Sequence, residues 1–309
     1  MLTAQTFGRP TAIKITGVRL EDWPENTIVM ANHQTYVDWA YIWALMYHAN
    51  VPHGMCALAK DSIRNVPVIG WLLDVFGFVF ISRTWSQDKS TVEQHMQKLG
   101  ESREPCWLTV FPEGTIMYPE GHAKSMAYAQ LHGFDHPKRL LLPRITGLFH
   151  CLEGLKQQKV RYLMDLTIAY EGMGDDDVPY LVYNVPGILM HGDAPPVIHI
   201  DVRLHPVDEI PNDEEKFGDW LRERWMEKDQ LLATFSETGS LASQDQYSKW
   251  IDMRMDRPAW VELCPFAVIV VPLLFAVDIM YAWLGSTLLY AIYGTLILTV
   301  LRSYKLLLE

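Results

Sequence analysis

The sequence predicts an α/β fold, a mixed sheet flanked by helices, followed by a C-terminal membrane helical hairpin. Two patterns carry this. Short apolar, β-branched runs alternate with helical stretches along most of the chain, and residues 265–301 then hold one charge, Asp278, in an otherwise apolar segment. The 49% hydrophobic and 12% aromatic content supplies enough apolar material for both a core and a membrane surface.

The strand candidates are residues 12–17, 27–32, 55–60, 78–83, 106–111, 163–170 and 197–204. Helical spacing covers 36–48, 86–100, 122–133, 147–155 and 214–232. The acidic, Gly-containing stretch 171–179 reads as a solvated loop, and 233–248 reads as a linker. Residues 1–245 therefore form the α/β domain and 246–264 complete the linker, with the hairpin at 265–301 and a basic tail at 302–309. A single helix over 265–301 would run to roughly 55 Å at about 1.5 Å per residue, too long for a hydrocarbon core of about 30 Å. Two shorter helices turning near "AWLGS" (282–286) fit better than a buried soluble pair. Arg254 and Arg257 before the segment, with Arg302 and Lys305 after it, place both ends on the cytosolic side. The apolar stretch 66–81, with Trp71, reads as a core helix plus strand whose helix is also suited to a membrane interface. The N-terminal segment lacks the continuous apolar run of a signal peptide.

A net charge of −11 excludes a partner that needs broad phosphate neutralisation, so no nucleic acid is expected. One anionic lipid headgroup needs only about two or three local cations and is not excluded. Cys56, Cys106, Cys151 and Cys264 are far apart and form no C-x-x-C pair. Free thiols and no metal site are expected.

The chemistry concentrates in four segments. In "NHQTYVDW" (32–39), His33 and Asp38 form H-x4-D. With eleven histidines, about one such pair is expected by chance, so its placement decides. A strand ends at Asn32 and a helical pattern starts at Tyr36. Inside one helix, residues five apart point about 140° from each other, but from the turn outside the helix His33 can fold back to Asp38. Asp38 then holds one imidazole nitrogen protonated and leaves the other as a base. A helix-capping cluster with a buried histidine is the structural alternative. The chain contains no G-x-S-x-G nucleophile elbow and no plausible cysteine partner. Such a base has only the substrate's own hydroxyl to activate.

"FPEGT" (111–115) follows a strand. Pro112 and Gly114 make a tight turn, Glu113 is expected to be exposed, and backbone N–H groups there can face an anion. Arg83 closes "GFVFISR" (77–83), and Arg144 in "LLPRITGL" (141–148) stands where a turn enters a helix. Both suit phosphate, or a solvated surface and a helix cap. Lys124 and Ser125 follow FPEGT on a helix with a weaker claim.

In this order and spacing the four segments resemble the motifs of the glycerolipid acyltransferase family, which acylates lysophospholipids from acyl-CoA. The similarity is strongest to its lysocardiolipin and lysophosphatidylinositol branch, the fungal lysophosphatidylinositol enzymes in particular. Further stretches share that branch's character, among them "SRTWSQDKS", "LTIAYEG", "VIHIDVRLHPVDEIP" and "WMEKDQLLATFSETGS", so the resemblance covers most of residues 20–245. It implies His33 as general base, Asp38 as its orienting partner, and Arg83 with Glu113 and Gly114 on the phosphate side, with Thr115 as a further substrate-binding residue. Arg144 and Lys124 are further substrate contacts. Two departures stand out. Ile116 occupies a position where many relatives carry Arg, and the N-terminal membrane helices usual in relatives are missing. Embedding then falls to the tail and to residues 66–81.

The resemblance implies an acyl-CoA-dependent lysophospholipid acyltransferase. Acyl-CoA is co-substrate, there is no cofactor, a membrane lysophospholipid is acceptor, and no protein partner is inferable. It further implies attachment to the endoplasmic reticulum membrane with the site at the cytosolic face, and lysophosphatidylinositol as the acceptor. The alternatives are a CoA-independent transacylase, an enzyme for lysophosphatidic acid or lysocardiolipin, a soluble hydrolase, and a catalytically dead lipid-binding scaffold.

Overall fold

A computed structural model describes residues 12–252, except 52–53, 66–68, 76, 83, 157, 175–176, 185–186, 189–192 and 242–246. The hairpin at 265–301, the tail at 302–309, the basic flanks, Cys264 and Arg83 lie outside the described residues. Among the described residues, no helix is long and apolar enough to cross a membrane.

The strands are β1 (Ala12–Gly17), β2 (Asn26–Ala31), β3 (Met55–Lys60), β4 (Val79–Ile81), β5 (Cys106–Val110), β6 (Tyr162–Tyr170), β7 (Val197–Pro206) and β8 (Ser248–Asp252). They form one mixed sheet in the order β4-β3-β5-β2-β6-β7-β1-β8. β2 lies parallel to β5 and β6, whereas β6 and β7 are antiparallel, as are β1 and β8. β2 and β5 are central and covered on both faces, which is why they read as nearly continuous apolar runs.

The helices are α1 (Asp38–His48), α2 (Ile69–Val75), α3 (Trp85–Glu101), α4 (Pro119–His132), α5 (Ile145–Leu155), the short α6 (Pro179–Val182) and α7 (Glu214–Thr238). The sheet separates two cores. On one face, Tyr41, Ile42, Leu45 and Met46 of α1 pack on Val29, Leu166, Ile168 and Ile200. On the other, α3, α5 and α7 cover Ile28, Met30, Leu108 and Leu163. Successive residues of a strand thus enter different cores.

Two departures from the sequence expectation lie near the C-terminal end of the domain. The helix that the sequence predicts to stop at 232 continues to Thr238, into the predicted linker. Its Thr234 and Thr238 hydroxyls donate to the carbonyls of Gln230 and Thr234, four residues back, at 3.1 and 2.7 Å. Gly239, at φ +70°, then ends the helix in the left-handed conformation. Residues 248–252, placed in the linker, form the edge strand β8 against β1.

Candidate active site

The site gathers at the carboxyl ends of β2 and β5, where ligands of open α/β sheets bind. Its first support is Asn32. The side-chain amide donates to Ile168 O at 3.0 Å and accepts from Ile168 N at 2.8 Å. The β2–β6 ladder is thereby extended by a side chain after the backbone has begun to turn. The next residue, His33, is released from the sheet into the turn that leads to α1.

Asp38 opens α1 and is fully buried. Its Oδ2 lies 2.9 Å from His33 Nδ1 and accepts from Gln34 N at 2.7 Å. The Thr35 N–H is shared between both carboxylate oxygens at 3.2 and 3.1 Å. Oδ1 also accepts from the Thr35 hydroxyl at 2.5 Å and from the Tyr170 hydroxyl at the end of β6. The His33 ring stacks on Phe111 with centroids 4.2 Å apart. The imidazole is held between a ring and a carboxylate and keeps 18% of its side-chain surface exposed. Among the described residues, no serine or cysteine is found hydrogen-bonded to it. The folding-back of His33 onto Asp38 that the sequence predicts is present.

Glu113 differs from expectation. It is buried, with 2% of its surface exposed, instead of standing free at the turn. One oxygen accepts from His33 N at 3.0 Å and the other from Leu141 N at 3.1 Å, so the carboxylate ties three loops together. Burial pushes this carboxyl up to about 8, against the lowering effect of the two backbone N–H donors. The Met117 N–H donates to His33 O at 3.0 Å, clamping the same turn from the other side. Gly114 adopts φ +72°, and an added Cβ would come within 3.1 Å of Arg144 Nε. The left-handed backbone favours glycine there, and a larger residue would also press on the Arg144 side chain.

Arg144 is the exposed N-cap of α5, and its backbone N–H donates to Pro112 O at 2.7 Å. Its guanidinium lies over the Gly114 turn and has no carboxylate partner among the described residues. Thr115, which follows Gly114, is half-buried. Lys124 is exposed on α4, outside this network, whereas its neighbour Ser125 accepts from Leu142 N at 2.9 Å and so braces the loop before Arg144. Arg83 lies outside the described residues. The flanking Ser82 and Thr84 both donate backbone N–H groups to Asp88, at 2.8 and 3.0 Å. His33, Asp38, Glu113, Gly114 and Arg144 are thus brought together. Sequence reasoning gave no part to Thr35 or Tyr170. The stretch "LTIAYEG", which contains Tyr170, was marked only by its family character.

A family model described as "Acyltransferase" matches residues 14–169, and a second, "Acyltransferase C-terminus", matches 188–257. The chain belongs to the acyltransferase family. An uncharacterized acyltransferase of Schizosaccharomyces pombe is 38% identical, covering 70% of this chain and 61% of that protein. The 2-acyl-1-lysophosphatidylinositol acyltransferase of Saccharomyces cerevisiae is 31% identical, covering 72% and 64%. Lysocardiolipin acyltransferase 1 of Mus musculus is 32% identical, covering 68% and 54%. The chain therefore spans less than two-thirds of the length of these relatives. Among solved structures, the 1-acyl-sn-glycerophosphate acyltransferase PlsC of Thermotoga maritima aligns with TM-score 0.43 at 16% identity, covering 72% of each chain. Both acyltransferase motifs, H-x4-D and FPEGT, fall within the matched region and converge in space.

Proposed function

We propose that this acyltransferase moves a long-chain acyl group from acyl-CoA to the free glycerol hydroxyl of a lysophospholipid, with lysophosphatidylinositol as the preferred acceptor. One observation carries the proposal: a partly exposed imidazole held at Nδ1 by a buried carboxylate, with no nucleophile among the described residues bonded to it. In this reading Nε2 of His33 takes the proton of the acceptor hydroxyl as its oxygen attacks the thioester carbonyl. The tetrahedral intermediate collapses, the C–S bond breaks, and the imidazolium returns the proton to the departing thiolate. No acyl-enzyme forms. The Gly114 turn, Arg144 and Arg83 take the acceptor's phosphate side, with Thr115 at its edge and Lys124 further out. Glu113 holds the turn from beneath. The inositol preference is drawn from the similarity to the yeast enzyme.

The surface beside His33 supports an acceptor drawn from a membrane. Trp39, Trp43 and Tyr47 lie on one outward stripe along α1, and Tyr36 stands in the turn just before it, with Tyr36 and Tyr47 58% and 54% exposed. Tyr36 meets Tyr180 at 6.3 Å, next to the exposed Leu181 and Val182 of α6. Trp and Tyr with one apolar and one wet end suit the boundary between headgroups and acyl chains. In the proposed arrangement the 265–301 hairpin anchors the chain in the endoplasmic reticulum membrane and the site faces the cytosol.

The test is a panel of lysolipids with one long-chain acyl-CoA and the purified 309-residue protein, read as CoA release and as acylated product by mass spectrometry. Lysophosphatidylinositol is expected to turn over fastest. Product formed without acyl-CoA from a phospholipid donor marks a transacylase instead, and no acylated product from any lysolipid contradicts the proposal.

A further inference from the structure

We infer that Tyr170 and Thr35 are positioning residues: their two hydroxyls hold one oxygen of the Asp38 carboxylate, which fixes the plane of the group and aims its other oxygen at His33. The inference rests on the proposed role of His33 as base. A carboxylate offers about four acceptor sites on two oxygens, and rotation about its bond to Cβ would turn its plane away from the imidazole. Here donors on both sides hold that plane. Oδ1 takes two O–H donors, Oδ2 takes the Gln34 N–H and the imidazole, and the Thr35 N–H is shared between them. The two hydroxyls are themselves 3.3 Å apart, so they form one polar cap over Oδ1.

The two residues come from different places. Thr35 belongs to the same turn as His33 and moves with it. Tyr170 is separated from Asp38 by 132 residues and is the last residue of β6. Because β6 runs parallel to β2, in register at Ala31 and Leu166, it ends on the side where His33 leaves the sheet. The Tyr170 ring is 2% exposed and sits between Tyr41 and Tyr183, with centroids 6.1 and 5.8 Å away. Tyr170 thus references the N-terminus of α1 to the sheet itself. Burial, followed by the charge of Asp38, raises its hydroxyl well above the ordinary tyrosine range, which keeps it a donor at working pH.

Tyr170→Phe keeps the ring and removes only the donor. The expected result is a kcat reduced about ten-fold, with KM for both substrates within about two-fold. In an Asp38→Ala background the same change costs less than about two-fold, because Tyr170 acts through Asp38. Thr35→Val repeats the loss and Thr35→Ser restores most of it. A readout free of substrate is carbethoxylation of His33 by diethyl pyrocarbonate, followed by peptide mass spectrometry across pH. With one donor fewer on Asp38, its hold on the imidazolium strengthens, and the midpoint moves to higher pH in Tyr170→Phe. Unchanged kcat with an unchanged midpoint overturns the inference, as does an equal loss in the Asp38→Ala background. Absence of turnover by the wild type with every lysolipid contradicts the proposed function, and the carbethoxylation comparison still decides the positioning. If Tyr170→Phe fails to fold, the Thr35→Val and Thr35→Ser pair decides the claim for the Oδ1 cap.

Discussion

β6 presents two buried carboxylate environments, one on each face, and they are built differently. On the α7 side, Asp165 forms an ion pair with Lys228, which is 1% exposed and also donates to Leu166 O at 2.6 Å. His205 Nε2 lies 3.4 Å from the other oxygen of Asp165. Burial pushes the Asp165 carboxyl up, but the Lys228 charge and the His205 bond outweigh it and hold it below the usual carboxylate range. On the α1 side, Asp38 has no Lys or Arg partner among the described residues. Two hydroxyls, two backbone N–H groups and one imidazole surround it, and only the imidazole reaches solvent. A buried charge met by a buried counter-charge is closed and serves the fold. A buried charge met by neutral donors and one accessible ring leaves the ring available for chemistry.

That contrast is broken most severely by Asp38→Ala. Turnover per folded molecule is expected to fall about 10³-fold, and thermal unfolding moves down as well, because two hydroxyls and two backbone N–H groups lose their buried acceptor. Lys228→Met ranks next and acts on the other readout. It strands Asp165 in the core and is expected to cost about 3–5 kcal/mol of stability in denaturant titration, with kcat per folded molecule unchanged. Adding Asp165→Leu recovers most of that cost, because a well-packed apolar pair replaces the ion pair.

Glu113→Gln sharpens the comparison through pH. The folded-state carboxyl is raised from 4.5 to about 8, so the native state binds its proton more tightly than the unfolded chain. Its contribution is full below about 4.5 and is lost as pH rises through about 8. The gap in Tm between wild type and Glu113→Gln is therefore expected to be widest near pH 5 and to narrow toward pH 8. A gap that widens contradicts the assignment. The smallest effect belongs to exposed Arg144. Arg144→Ala is expected to raise KM for the lysolipid about ten-fold, with kcat and Tm unchanged.

The parts legible in the sequence are those whose cause is local. H-x4-D was readable because a strand ends at Asn32 and a helix begins within a few residues, which is the spacing that lets His33 fold back. The Gly114 turn was readable because FPEGT contains its own turn chemistry. Glu113 was misplaced because its second partner, Leu141 N, lies 28 residues further along, and no local pattern announces that a turn carboxylate will be buried. Tyr170 had no local signal either, since its place beside Asp38 follows from the parallel pairing of β2 with β6. β8 was hidden because it is a short edge strand with Trp250 58% exposed, and only pairing with β1 defines it. The last turns of α7 read as linker because Ser and Thr favour loops unless their hydroxyls bond back to the helix, as Thr234 and Thr238 do.

The most direct measurement is CoA release from a long-chain acyl-CoA in the presence of lysophosphatidylinositol, comparing wild type with His33→Ala at equal folded concentration. One CoA is expected to be released per lysolipid acylated by the wild type, and the rate is expected to be about 10³-fold lower in the variant, with the same Tm. Equal rates in the two proteins contradict His33 as the base.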